Sequence, residues 1–177
     1  MSGHNRWTQI KRQKGKTDAE KSKVFGKFSR LITEEAKKTA GNLSAPSLVA
    51  AIDRAKAANM PNDVIDRAVK KATLDKSAAL EAILYESYGP GGCGIIISTL
   101  TSNKNKAAQE VKFILGKHGS SLAGMGSVTW GFERQRDGTW KPTTMTPLSD
   151  EDAEKLGALV EELESNDEVQ EVFTNAE

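Results

Sequence analysis

The chain has 177 residues, room for one ordinary domain or two small ones, and its 37% hydrophobic, 6% aromatic and 28% charged residues suit compact cores and not a disordered chain. Its longest apolar runs, such as Leu48–Ile52 and Ile95–Ile97, fall far short of the roughly 20 residues that cross a bilayer, and the one cysteine, Cys93, excludes an internal disulfide and a thiolate zinc site. The net charge of +1 hides an opposition: residues 1–78 hold 17 Lys and Arg against 8 Asp and Glu, and residues 79–177 hold 8 against 16, a split that points to a polyanion-binding first half.

Residues 1–16 show no sustained helical or strand period, which predicts a tail that orders mainly on contact. Thr17 with Glu20 forms a capping box, and Val24, Phe25, Phe28, Leu31, Ile32 and Ala36 mark a first helix up to Gly41. Ser44 with Pro46 opens a second helix on Leu48, Ile52 and Ala55, ended by Asn59 and Pro61, and Val64, Ile65, Ala68, Val69 and Ala72 mark a third. From about residue 79 the period changes. Ala82–Tyr88 and Cys93–Thr101 flank Gly89-Pro90-Gly91-Gly92 as a hairpin, Asn103 caps a helix on Ala107, Val111, Ile114 and Leu115, and Val128, Trp130 and Phe132 alternate as a strand with one buried face. Trp140–Thr146 is an edge strand at most because of its prolines, Ser149 with Asp152 caps a last helix on Ala153, Leu156, Leu159, Val160 and Leu163, and Val169–Thr174 is a final strand. The expected architecture is α+β: a basic tail and three-helix domain over 1–78, then an acidic ferredoxin-like sandwich over 79–177.

Few residues suggest catalysis. Gly89-x-Gly91-x-x-Gly94 matches the letters of a dinucleotide fingerprint, but Ile95-Ile96-Ile97 follows where that motif needs a helix, so no cofactor is expected. The acids Asp150, Glu151, Asp152 and Glu154 lack the spacing of a calcium loop and sit where a helix dipole favours carboxylates, so no metal is expected either. His118 falls near a helix C-terminus, Cys93 lies beside glycines without a nearby base, and no triad or phosphate loop is present. A nuclease would need metal-binding carboxylates near the basic surface, and the acids cluster elsewhere.

The first 30 residues point to nucleic acid. His4, Arg6 and Trp7, followed by Lys11, Arg12, Lys14 and Lys16, offer an aromatic that could stack on a base among cations that neutralise phosphates. Lys21 also lies at the start of the first helix, and Lys23, Lys27, Arg30 and Lys37 form a stripe along it. On this reading, loss of residues 1–16 leaves both cores intact and removes most nucleic-acid association.

Gly3-His4-x-x-Trp7, Val24-Phe25-Gly26-Lys27, the Ala51–Pro61 segment, Tyr85-Glu86-x-Tyr88-Gly89-Pro90-Gly91-Gly92, Asn103-Lys104-Asn105-Lys106 and Gly126-Ser127-Val128, in this order, resemble the YebC/PmpR family, as does the Asp167–Val172 ending. The resemblance implies a helical N-terminal domain joined to α/β domains. It implies DNA-binding transcriptional regulation or, for other members including mitochondrial relatives, translational activation at the ribosome. Members carry a third α/β module after the strand near Glu133, where this chain has only Arg134–Gly138, so a shortened two-domain member is expected. The expectation is a cytoplasmic, non-enzymatic regulator of gene expression that takes no small-molecule substrate and no membrane partner, its partner being DNA or ribosomal RNA, with the ribosome a further candidate. The alternative is a protein-interaction module whose basic arm docks an acidic protein, its own residues 149–177 included, where 11 acidic side chains face one basic one.

Overall fold

The computed structural model describes residues 6–13 and 17–177. The chain divides into two compact units: Gly15–Leu80 with Arg136–Thr139, and Met1–Lys14 with Glu81–Gln135 and Trp140–Glu177.

The first unit is helical. It comprises α2 (Asp18–Lys38), α3 (Pro46–Ala57) and α4 (Asn62–Leu74), with α1 (Arg6–Gln13) belonging to the other unit. The capping box is formed as expected: the Thr17 hydroxyl accepts from the Glu20 amide and the Glu20 carboxylate accepts from the Thr17 amide, both at 3.2 Å. Ser44 does not cap α3. Ala45 is the cap residue, without a side-chain bond, and Pro46 takes the first helical position, where its missing N–H costs nothing. Ile32, Ala36, Leu48, Ala51, Ala55, Met60, Ile65 and Ala68 are buried as one core, each helix contributing a stripe.

The second unit is α+β. Its sheet has the order β3-β1-β2-β6, built from β1 (Glu81–Tyr88), β2 (Gly94–Thr101), β3 (Ser121–Leu122) and β6 (Val169–Thr174), with every neighbouring pair antiparallel. The β1–β2 hairpin closes through a 3-10 turn at Pro90–Gly92. Gly91 and Gly92 adopt φ of 69° and 79°, a region that suits glycine, and Gly94 opens a strand rather than a helix. Helices α5 (Lys104–Lys117) and α6 (Asp150–Ser165) cover one face, where Ile95, Ile97 and Val169 meet Val111, Leu115, Leu156, Leu159 and Leu163. On the other face Ile96 meets Val128, Phe132, Trp140 and Phe173 beneath a two-stranded ribbon of β4 (Phe132–Arg134) and β5 (Trp140–Pro142). The layering is that of a ferredoxin-like domain, while the chain enters through the central hairpin.

Two expectations are corrected here. Val128–Gly131 is not a strand, and the extended stretch begins only at Phe132. Thr129–Gly131 is a 3-10 turn, with Val128 and Phe132 on either side of it buried and Trp130 at its middle 70% exposed. Over residues 6–13 the predicted tail is helical. Eight residues are too few for a stable isolated helix, so packing holds α1. Trp7, 2% exposed, enters the core of the α+β unit, and Ile10 packs beside it. Gly157 on α6 makes room: a Cβ there would lie 3.0 Å from Ile10 Cγ2.

Candidate nucleic-acid interface

The cations singled out in the sequence fall into three groups. His4, Lys14 and Lys16 lie outside the described residues, and for Arg12 only the helical backbone is described.

Arg6, Trp7 and Lys11 belong to α1 in the α+β unit. The Arg6 guanidinium is 3.0 Å from the Glu154 carboxylate on α6, and both side chains are substantially exposed. Lys11 is exposed, with Nζ 5.9 Å from the centroid of the Trp7 ring. Trp7 itself cannot stack on a base in this position, since its ring fills the core; the stacking role read from the sequence is corrected on that ground. Its indole N–H is buried without an acceptor among the described residues. The basic arm thus docks, at Arg6, on the chain's own acidic helix.

Lys21, Lys23, Lys27 and Arg30 lie on the N-terminal half of α2. Lys21 and Lys23 are exposed, and Lys27 and Arg30 are half-buried. No acidic residue occurs between Glu20 and Glu34, so from Lys21 to Arg30 a single sign of charge covers nearly three helical turns. The core explains why the cations stop there. The C-terminal half of α2 buries Ile32, Thr33, Glu34 and Ala36, and Thr33 ties α2 to α4 through a 3.0 Å hydroxyl bond to the Ala68 carbonyl.

Lys37, which the spacing places on the same stripe, is drawn away from it. Its ammonium lies 3.0 Å from Asp75 and 3.2 Å from the buried Glu34, whose other oxygen accepts from the Leu80 amide at 3.0 Å. The Ser77 hydroxyl and amide, with Lys37, hold the Asp75 carboxyl well below the usual carboxylate range, and Asp75 with Glu34 pushes Lys37 up. Lys38 pairs with Glu35 and Arg67 with Asp63. Four of the unit's nine acids, Glu34, Glu35, Asp63 and Asp75, are therefore answered by cations outside the Lys21–Arg30 stretch.

A second anchored surface lies on the α+β unit. Glu86, 6% exposed on β1, accepts the amides of Gly126 and Val128 at 2.7 Å and of Thr129 at 2.9 Å. Burial alone would raise its carboxyl. The amides of Gly126, Thr129 and Val128 outweigh this and hold it below its ordinary value. The only available signal was a carboxylate in a strand followed, some 40 residues on, by a glycine-rich stretch offering amides.

The family models match both units. One described as "TACO1/YebC protein N-terminal domain" matches residues 5–75, and one described as "TACO1/YebC second and third domain" matches 80–138 and 135–176. A "Probable transcriptional regulatory protein" from Petrotoga mobilis is 49% identical over 137 residues, 76% of this chain, and the match spans 55% of that relative's length. One of the same name from Fervidobacterium nodosum is 35% identical over 235 aligned positions that take in 99% of this chain and 93% of the relative. The crystal structure of a conserved hypothetical protein from Aquifex aeolicus, 29% identical, superimposes with a TM-score of 0.78 over 97% of this chain and 96% of its own. The Fervidobacterium alignment is longer than the chain, and the two pieces of the second match meet at residues 135–138, where the third module was expected to be missing. By both domain models and by the relatives that align along its length, the chain belongs to the TACO1/YebC family, as a shortened member.

Proposed function

We propose that this chain is a non-enzymatic regulator of gene expression that binds nucleic acid through the cationic half of α2. The observation that carries this reading is the uninterrupted set Lys21, Lys23, Lys27 and Arg30, on a helix whose later acids are engaged by Lys37 and Lys38. Lys and Arg side chains along a helix neutralise phosphates and read little base information, so binding is strong in charge and weak in sequence preference. The relatives named as transcriptional regulatory proteins support this assignment. Arg6, Lys11, Arg12, Lys14 and Lys16, with His4, are further phosphate contacts in the proposal. The exposed Arg6–Glu154 pair is of a kind that contributes little to stability and can exchange for a phosphate. Trp7 has no part in it. Among the described residues no helix is long and apolar enough to cross a membrane, and a cytoplasmic location belongs to the same proposal.

The test replaces Lys21, Lys23, Lys27 and Arg30 with alanine in the full chain. Alanine preserves helix propensity, so α2 stays folded. Affinity for a DNA duplex is expected to fall by about tenfold or more near 0.1 M salt. Unchanged affinity in a folded variant would place the interface elsewhere.

A further inference from the structure

We infer that Gly26 is the point at which one phosphate of a bound nucleic acid seats directly against the backbone of α2. The inference rests on the nucleic-acid reading above and deepens it, by naming a residue that sets how closely the strand approaches. Lys23, Gly26, Lys27 and Arg30 stand at i, i+3, i+4 and i+7, the four corners of one patch on the helix surface. Three corners carry cations, and the fourth carries no side chain at all. The acids that flank the patch along the helix are engaged: Glu20 accepts the Thr17 amide at 3.2 Å, and Glu34 is buried against Lys37 and the Leu80 amide.

Among the described residues, nothing requires a glycine at this position. Gly26 lies well inside a 21-residue helix, its φ is not in the left-handed region, it is exposed, and a Cβ built on it would meet none of their atoms within 4 Å. The other glycines of the described α-helices differ. Gly157 makes room for Ile10 on α1, and Gly116 falls in the last turn of α5, where the helix is ending. A glycine inside a helix costs stability relative to alanine, through the backbone freedom it gives up on folding. What offsets that cost is access from outside. A bare backbone lets a phosphate lie against the helix surface instead of at the tips of extended side chains, with three cations around it. A neighbouring protein helix seated on the same bare spot would have to bury those cations, so charge selects the polyanion.

The test measures stability and duplex affinity on the same full-chain variants. Gly26→Ala is expected to raise the melting temperature of the helical unit by about 3–8 °C, because the added methyl group meets nothing and favours the helix. Affinity is expected to move the other way. It falls in Gly26→Ala and falls further, by about tenfold near 0.1 M salt, in Gly26→Leu, the loss of one phosphate contact, with the slope of log affinity against log salt reduced by about one unit. DNA and RNA duplexes of one sequence share that phosphate, and the arm whose affinity falls shows which of them seats on α2. If both variants bind both duplexes as the unaltered chain does, the inference is overturned and the patch is left to an acidic protein surface. Equal losses in the alanine and leucine variants would also overturn it, since they would trace to a stiffer helix and not to the space above Gly26. If the unaltered chain binds neither duplex, the nucleic-acid reading itself fails, a result distinct from these.

Discussion

Replacing Trp7 with alanine is expected to lower the unfolding temperature of the α+β unit by roughly 10 °C or more. A large buried aromatic truncated to a methyl group costs about 3–5 kcal/mol, and each kcal/mol moves the midpoint of a domain near 100 residues by about 4–8 °C. The ring is 2% exposed among Leu156, Val160 and their neighbours, so little can collapse into the space. Trp7→Phe provides the control. It keeps most of the apolar volume and removes an indole N–H that has no acceptor among the described residues, so its cost is expected to be a small fraction of the alanine variant's. Calorimetry on the two variants checks this, and equal, negligible shifts would show that α1 does not seat in the core. Removal of residues 1–16 is expected to destabilise the α+β unit for the same reason, the reverse of what an unstructured tail predicts.

Glu86→Gln is expected to cost roughly 3 kcal/mol. The amide retains one oxygen for the cluster of N–H groups and turns an NH2 toward at least one donor, leaving buried groups unsatisfied that an ionised carboxylate had served. The sign of the pH dependence follows from the depressed carboxyl. Its contribution is complete above the ordinary glutamate value, about 4.3, and is lost as pH falls through the lower value it has in the folded unit. The stability gap between the two proteins is therefore expected to be widest near neutrality and to shrink below about pH 4. Denaturant melts across that range measure it; a gap that stays constant with pH would mean that Glu86 holds its loop without its charge.

Much of this fold is written locally. Thr17 with Glu20, Asn103 and Ser149 each accept the amide three residues on, as their spacing from the following apolar run predicts, and β6 spans Val169–Thr174 as its composition suggests. What escaped depends on distant partners. Two apolar residues in the eight of α1 make no period, and only the notch at Gly157 and the core of another segment give Trp7 and Ile10 a place. Val128, Trp130 and Phe132 alternate like a strand, yet they span a 3-10 turn with the first and third buried and the second exposed, which alternation cannot distinguish. Lys37 shares the spacing of Lys23, Lys27 and Arg30 but is turned inward by Glu34 and by Asp75 from beyond α4. For the candidate interface, the sequence supplied the cations of α2. It could not show that the aromatic beside the first cations is spent on packing.

Binding through phosphate neutralisation on α2 makes duplex affinity depend steeply on salt. Four phosphates neutralised by Lys21, Lys23, Lys27 and Arg30 predict that log affinity falls against log salt with a slope of at least about −3.6 in magnitude, steeper where α1 adds contacts. The variant with all four residues changed to alanine should lose three to four units of that slope, an order-of-magnitude count of one released counterion per cation. A slope near zero in the unaltered chain, or one of equal steepness in both proteins, would contradict the assignment of the interface to α2.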